Sequence, residues 1–102
     1  MDKSDVVTLL TPRVAVDEIG QYVLEEPDEV QVFCKVNSVG QSEFFKAGEM
    51  GFKASYKVTM NRWEYDGQEL CVYNGQRFSI YRTFFAKDDV IELYLERKAG
   101  TK

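Results

Sequence analysis

The sequence contains no histidine among its 102 residues. Histidine is the usual general base near neutral pH and the commonest metal ligand, so most designs for hydrolytic and zinc-dependent sites are excluded. Only two cysteines, Cys34 and Cys71, are present, which is too few for a disulfide framework, and their spacing does not suit a metal site. We therefore expect two buried free thiols in a protein that folds in a reducing cytosol.

Long hydrophobic runs are also absent. The N-terminus is charged, and the apolar residues close to it, Val6, Val7, Leu9 and Leu10, are too few for a signal sequence or a membrane-spanning segment. We expect no association with a membrane. The chain is 44% hydrophobic and 14% aromatic, which is enough for the core of one small domain.

An excess of positive charge is missing as well, because the net charge is −4. This value argues against a general clamp for nucleic acid. Residues 1–29 carry two basic and eight acidic side chains, whereas residues 30–87 carry eight basic and five acidic ones. Such a polarity fits either an ordinary solvated surface or a head-to-tail interface between subunits, in which the acidic N-terminal region meets the basic middle of the next chain.

Apolar and polar residues alternate along most of the chain, which is typical of strands with one buried face. The clearest strand covers residues 30–37, and a second starts at Tyr56 and is expected to run toward Trp63. Residues 70–73 and 78–85 flank Asn74-Gly75, the pair of residues preferred in a two-residue hairpin turn. A last strand is expected at residues 91–96, after a turn at Asp88-Asp89.

The N-terminal third has weaker patterns. Residues 6–10 are predicted to form a strand that stops at Thr11-Pro12, and a turn at residues 17–20 is predicted to lead into a short strand at residues 22–25. These two strands are expected to pair antiparallel. Between residues 40 and 51 a short helix is predicted, capped by Ser38 or Ser42 and ended by Gly48.

About six short strands and one short helix predict an all-β fold. In a chain of this length, closure into a small antiparallel β-barrel hides the sheet edges. We therefore predict a single barrel domain over residues 1–98, with an insertion at about residues 38–54 and a flexible tail at residues 99–102.

Catalytic chemistry finds little support in the sequence. Neither thiol has a histidine to activate it, and the adjacent acidic pairs all lie in turn-like sequence. The glycines do not form a phosphate-binding loop. We therefore expect no catalytic residues, no metal ion, no cofactor and no enzymatic activity.

Two groups of aromatic residues allow more than one interpretation. Phe78, Tyr81, Phe84 and Phe85 suit core packing, or else a stacking platform for single-stranded nucleic acid. The insertion also holds four large apolar residues, and it either folds on its own domain or changes its partner during assembly. Those four residues are Phe44, Phe45, Met50 and Phe52.

Taken in order, several segments resemble the head-closure or head-tail joining proteins of long-tailed bacteriophages, also called stoppers or head-tail adaptors. The similar segments are LLTPRVAVDEIG at residues 9–20, VQVFCKVNSV and SEFFKAGEMGFKASYKV through Val58, YNGQRFSIYRTFF at residues 73–85 and DDVIELYLERK at residues 88–98.

The resemblance implies a small β-barrel without enzymatic activity, located in the virion and, during assembly, in the cytoplasm of the host bacterium. Such a subunit is expected to be a monomer in isolation and to form a ring, twelve-fold by analogy, on portal or adaptor proteins. The ring retains the packaged DNA and presents a surface to tail proteins. No specific nucleic-acid binding is implied.

The stretch Glu43-Phe44-Phe45-Lys46-Ala47 matches the part of the family's insertion that turns toward the channel axis and closes it. Glu43, Phe44, Phe45, Lys46, Met50 and Phe52 are therefore candidate gate residues. An adaptor without a gate, a tail-completion protein and a barrel that binds single-stranded nucleic acid remain alternatives. Charge contacts between subunits are expected to involve Asp17, Glu18, Glu25, Glu26, Asp28, Glu29, Lys46, Lys53, Lys57 and Arg62.

Overall fold

A computed structural model describes residues 4–97 as a closed antiparallel barrel with the strand order β1-β2-β3-β6-β5-β4. The predicted all-β barrel with one short helix is confirmed. The predicted tail at residues 99–102 lies outside the described residues. The elements are β1 (Asp5–Val16), β2 (Tyr22–Ser38), α1 (Gln41–Glu49), β3 (Ala54–Asn61), a 3-10 turn (Arg62–Glu64), β4 (Leu70–Tyr73), β5 (Gln76–Lys87) and β6 (Val90–Arg97).

Strands β1 and β2 form a hairpin much longer than the sequence predicted. The expected stop at Thr11-Pro12 is wrong, because β1 continues to Val16 and the pairing with β2 shifts register between Thr11 and Arg13. That irregularity accommodates Pro12, which has no N–H to give to a ladder. The predicted pairing of residues 6–10 with residues 22–25 is also wrong, because the first set pairs with residues 29–33 and the second with residues 13–16.

The β4-β5 hairpin is confirmed. Asn74 and Gly75 both have positive φ, at 54° and 79°, as a type I′ turn requires. The turn at Asp88-Asp89 and the last strand are confirmed too, since β6 begins at Val90. The expected run of β3 toward Trp63 is wrong, because the strand ends at Asn61, whose side chain accepts a hydrogen bond from the N–H of Trp63 and so starts the 3-10 turn.

The core lies inside the barrel and consists of the inward positions of all six strands. Alternate residues of each strand point inward, so the alternation seen in the sequence corresponds to this packing. The buried cluster contains Val7, Leu9, Val32, Cys34, Val58, Met60, Cys71, Phe78, Ile91, Leu93 and Leu95. None of these residues comes from the insertion.

Helix α1 fills the connection between β2 and β3. Its capping differs from the prediction: the N-cap is Gly40 without a side-chain hydrogen bond, so neither Ser38 nor Ser42 caps it. Gly48 lies within the last turn, and the chain leaves the helix through Met50 and Gly51, whose φ is +90°. The N–H groups of Met50 and Phe52 both donate to the carbonyl of Ala47, which closes the helix.

Candidate functional site

A polar cluster centred on Glu43 holds α1 against the outer wall of the barrel. The Tyr81 hydroxyl donates to Glu43 Oε2 at 2.6 Å, and Arg82 Nε donates to the same oxygen at 3.2 Å. A second guanidinium nitrogen of Arg82 donates to Glu43 Oε1, which completes a bidentate ion pair. Charge-assisted bidentate pairs are among the stronger hydrogen bonds in proteins, so this cluster fixes the position of the helix.

The cluster depends on an irregularity in β5. The register between β5 and β6 shifts between Ile80 and Arg82, so that Tyr81 is an extra residue without a partner on β6. In a regular strand two consecutive side chains point to opposite faces, but a bulge places both on one face. Tyr81 and Arg82 can therefore both reach Glu43.

Aromatic contacts surround this ion pair. The ring of Phe52 stacks on Tyr81 with centroids 4.9 Å apart, and the Arg82 guanidinium lies 3.9 Å above the ring of Tyr94. The hydrogen bonds from Arg82 lower the pKa of Glu43, and desolvation together with the bond to Glu43 raises the pKa of Tyr81. Both shifts favour a charged carboxylate that accepts from a neutral phenol.

The predicted gate residues divide into two sets. Glu43 and Phe52 contact the barrel, and Lys46 lines a groove of about 320 Å³ beside them. Phe44 and Phe45 instead keep exposed fractions of 49% and 65%, and Met50, which also lines the groove, keeps 75%. The insertion is thus folded on its own domain while it presents three large apolar side chains to solvent.

A second exposed region is the end of the β1-β2 hairpin, residues 12–28, which we call the arm. β1 pairs with β4 only at Thr8, Leu9 and Leu10, and β2 pairs with β3 only from Lys35 onward. Within residues 4–97, therefore, no third strand lies beside the arm, and the molecule measures 50 × 29 × 24 Å.

The six predicted acidic contact residues all come together on the arm or at its base. The Arg13 guanidinium lies 3.8 Å from Glu25 and 3.7 Å from Asp28, while Asp17 organises the turn at the tip. Glu18 and Glu26 are also exposed on the arm, and Glu29 at its base pairs with Leu10.

The predicted basic contact residues are spread over the insertion, β3 and the 3-10 turn, and two of them are used within the chain. Lys57 Nζ lies 3.8 Å from Glu92, and Arg62 donates to the Asp88 carbonyl while its guanidinium covers the rings of Trp63 and Phe85. Lys46 flanks the groove beside α1, and Lys53 follows the helix.

The predicted stacking platform is not present as a set. Phe78 is buried in the core, and Tyr81 is covered by Phe52 and bonded to Glu43. Phe84 and Phe85 are exposed, but the Arg62 guanidinium lies 5.3 Å from the ring centroid of Phe85. Phe78 is therefore closed to a base, and Phe52 occupies one face of the half-buried Tyr81.

The two cysteines are buried free thiols, as predicted, and both belong to the core cluster. Burial raises the pKa of Cys34 to about 11 and that of Cys71 to about 12. Within residues 4–97 no group of three or more acidic, cysteine or histidine side chains is arranged to hold a metal ion. No helix in that part of the chain has the length and apolar character needed to cross a bilayer.

No protein-family model matches the chain, and no curated protein matches it either. Among solved structures, the solution structure of protein SF1141 from Shigella flexneri 2a is similar, with a TM-score of 0.76 over 95% of this chain and 94% of that one. The two sequences are 16% identical, so the likeness establishes a shared fold.

Proposed function

We propose that this chain is a structural subunit of a bacteriophage head-tail connector, which forms a ring between the portal or adaptor proteins of the head and the tail proteins. The observation that carries the proposal is the insertion: a short helix, held on the barrel by one polar cluster, that displays Phe44, Phe45 and Met50. Large apolar side chains that gather in one exposed segment are typical of a site that contacts another protein.

The mode of attachment suits a segment with two positions. The helix contributes no residue to the core cluster, so the barrel does not depend on it for its interior packing. Its main fastening consists of the bonds from Tyr81 and Arg82 to Glu43. Loss of these bonds in an assembled ring would release the helix toward the channel, where its apolar residues would help to close the head and retain DNA.

The charge distribution supports a ring of identical subunits in the virion. The acidic arm of one subunit would contact basic positions of the next, such as Lys46, Lys53, Lys57 and Arg62. In this role the protein needs no cofactor and performs no catalysis. A channel lining of low positive charge would let DNA pass without adhering, because neutralisation of phosphates is what creates tight nonspecific affinity.

Deletion of residues 41–53 tests the role of the insertion. The N–H of Val39 donates to the carbonyl of Ser55 at 3.4 Å, so the two strands can be joined directly through Gly40 and Ala54. We expect a folded barrel that still assembles into phage particles, but particles that lose their packaged DNA. The control is the double variant Glu49→Gln and Gln41→Ala, which alters exposed positions of the helix and is expected to retain DNA.

Retention of DNA by particles carrying the deletion would contradict the gate and would favour the alternative of an adaptor without a gate.

Assembly of the purified chain onto a portal complex should weaken as salt is raised, because exposed charge pairs are screened. Salt-independent assembly would contradict the charge contacts.

A gel shift with single-stranded DNA at low salt tests the alternative of a nucleic-acid-binding barrel. A shift that is lost on replacement of Phe84 and Phe85 would favour that alternative. Binding to tail tubes but not to portals would instead favour a tail-completion protein.

A further inference from the structure

One apolar face of the arm is left uncovered by the part of the chain that the structure describes. Val14 lies directly across from Leu24, and Val16 lies across from Tyr22, so these four side chains share one face of the two-stranded ribbon. Their exposed fractions run from 57% to 81%. The other face carries Arg13 with its two carboxylate partners.

The exposed side of α1 forms the second uncovered apolar surface, and it lies across the barrel from the arm. The helix packs against β3, and its Glu43 is bonded to Tyr81 and Arg82 of β5; these two strands flank β6. In the closed order β6 is three strands from β1 in either direction, so β1 and β6 stand on opposite walls. Two unlike surfaces on opposite walls are the arrangement that a head-to-tail contact requires.

Charge determines which surface the arm prefers. The arm carries one basic and five acidic side chains, so two arms placed face to face would repel each other. Lys46 lines the groove beside α1 and Lys53 follows the helix, while Glu43 is paired with Arg82. The arm's acidic residues therefore match the surroundings of α1 better than they match a second arm.

We propose that the apolar face of the arm binds the exposed face of α1 on a second copy of this chain, with Val14, Val16, Tyr22 and Leu24 covering Phe44, Phe45 and Met50. This contact would join neighbouring subunits while α1 is still fastened to its own barrel, before the release that closes the channel, and the portal would still assemble a ring without it. It rests on the proposed function only for the ring's place in a virion. The carboxylates of the arm and the lysines around α1 form its rim.

The contact is small. A stable complex usually buries at least about 1,200 Å² in total, which a few side chains on each partner do not reach. The isolated chain is therefore expected to associate weakly, and closure of a ring on a portal would add the contacts together. A covalent trap is the suitable detector for such a contact.

The test uses two variants of the full chain, Leu24→Cys and Phe45→Cys, mixed and mildly oxidised. Buried Cys34 and Cys71 are expected to stay unreacted, because burial raises the pKa of both thiols. We expect the mixed disulfide to exceed each homodimer several-fold, and to decline when salt is raised. The matched control is Gln76→Cys, at an exposed position beside the β4-β5 turn, mixed with Phe45→Cys.

Three results would overturn the inference: a dominant Leu24→Cys homodimer, which indicates arm-to-arm contact; a mixed yield no higher than that of the Gln76→Cys control; or no disulfide at all. Circular dichroism of each variant checks that the barrel is folded. If the mixed disulfide forms but the chain does not join phage heads, the proposed function is wrong and this inference stands. If the chain joins phage heads but the mixed disulfide does not form, this inference is wrong and the proposed function stands.

Discussion

The two ends of the β1-β2 hairpin contain similar residues in very different surroundings. Val7 and Leu9 of β1 are 1% and 0% exposed, whereas Val14 of the same strand and Leu24 of β2 are 57% and 79% exposed. The difference comes from the neighbours: the first part is flanked on both sides by other strands, and the arm is a ribbon of two strands only. Two-stranded ribbons alone are at best marginally stable in water.

The comparison shows that alternation along a strand does not by itself indicate a core. The same pattern of apolar residues builds the interior of the barrel in one half of the hairpin and an exposed face in the other. An apolar face that contributes nothing to its own fold is a sign of a binding surface.

The largest expected effect is the contrast between Leu9→Ala and Leu24→Ala. The first change leaves a cavity in a closed core and should lower the free energy of unfolding by about 3 kcal/mol. The second shortens a side chain that is already in solvent, and it should change the free energy of unfolding by less than about 0.5 kcal/mol. Urea denaturation of both variants measures the difference. Equal losses would mean that the arm is packed in solution and that its exposed face is covered.

A smaller effect is expected at the fastening of α1. Glu43→Gln removes the charge that Arg82 pairs with and should lower the free energy of unfolding by about 2 kcal/mol at neutral pH. Because Arg82 lowers the folded pKa of Glu43, the stabilisation is present above the unfolded value of 4.5 and is lost as the pH falls through the folded pKa. The difference between wild type and variant should therefore vanish in strong acid.

The control for this measurement is Glu49→Gln, an exposed carboxylate at the other end of the same helix. If Glu49→Gln lowers the free energy of unfolding as much as Glu43→Gln does, then any negative charge on α1 stabilises the protein equally. The ion pair with Arg82 would in that case add no stability of its own. Amide exchange provides a second comparison, since only Glu43→Gln should speed exchange in α1 while the core strands stay protected.

Much of the fold could be predicted from the sequence because the barrel's inward positions alternate. The β4-β5 hairpin was predictable for a local reason, since Asn74-Gly75 accepts the positive φ that the turn requires. The continuation of β1 was not, because Pro12 normally ends a strand and is tolerated only where the pairing shifts. Whether β1 continues past Pro12 depends on its pairing with β2, which lies later in the sequence.

The candidate site was predictable only in part. Glu43, Phe44 and Phe45 could be selected because they interrupt the strand pattern, but their separate roles could not. The role of Glu43 depends on Tyr81 and Arg82, which lie 38 and 39 residues away and face it together only because of a bulge. Adjacent residues in a predicted strand would have been assigned to opposite faces.

The two buried thiols make the stability of the barrel depend on pH in alkaline solution. The folded pKa values of about 11 and about 12 exceed the ordinary thiol value of 9.0. The stabilisation by the neutral thiols is therefore fully present below pH 9, and it is lost as the pH rises through the folded values. At about pH 10 each thiol should cost about 1 kcal/mol of unfolding free energy. Cys34→Ala and Cys71→Ala should each reduce this alkaline slope. Rapid reaction of both thiols with a disulfide reagent at neutral pH would instead show that the barrel opens readily.

The smallest effect on global stability is expected at the tip of the arm. Asp17 Oδ1 accepts hydrogen bonds from the N–H groups of Ile19 at 3.0 Å and Gln21 at 2.8 Å, which hold the turn in place. Asp17→Ala should leave the free energy of unfolding within about 0.5 kcal/mol of wild type, since the barrel does not rest on the arm. Amide exchange in residues 13–16 and 22–25 should nevertheless become faster, and Glu18→Ala in the same turn should not have this effect. A global loss well above that limit would show that arm and barrel unfold as one unit. The exposed apolar face of the arm would then stabilise the folded chain itself. The barrel end and the arm end of the β1-β2 hairpin would no longer differ in their contribution to stability.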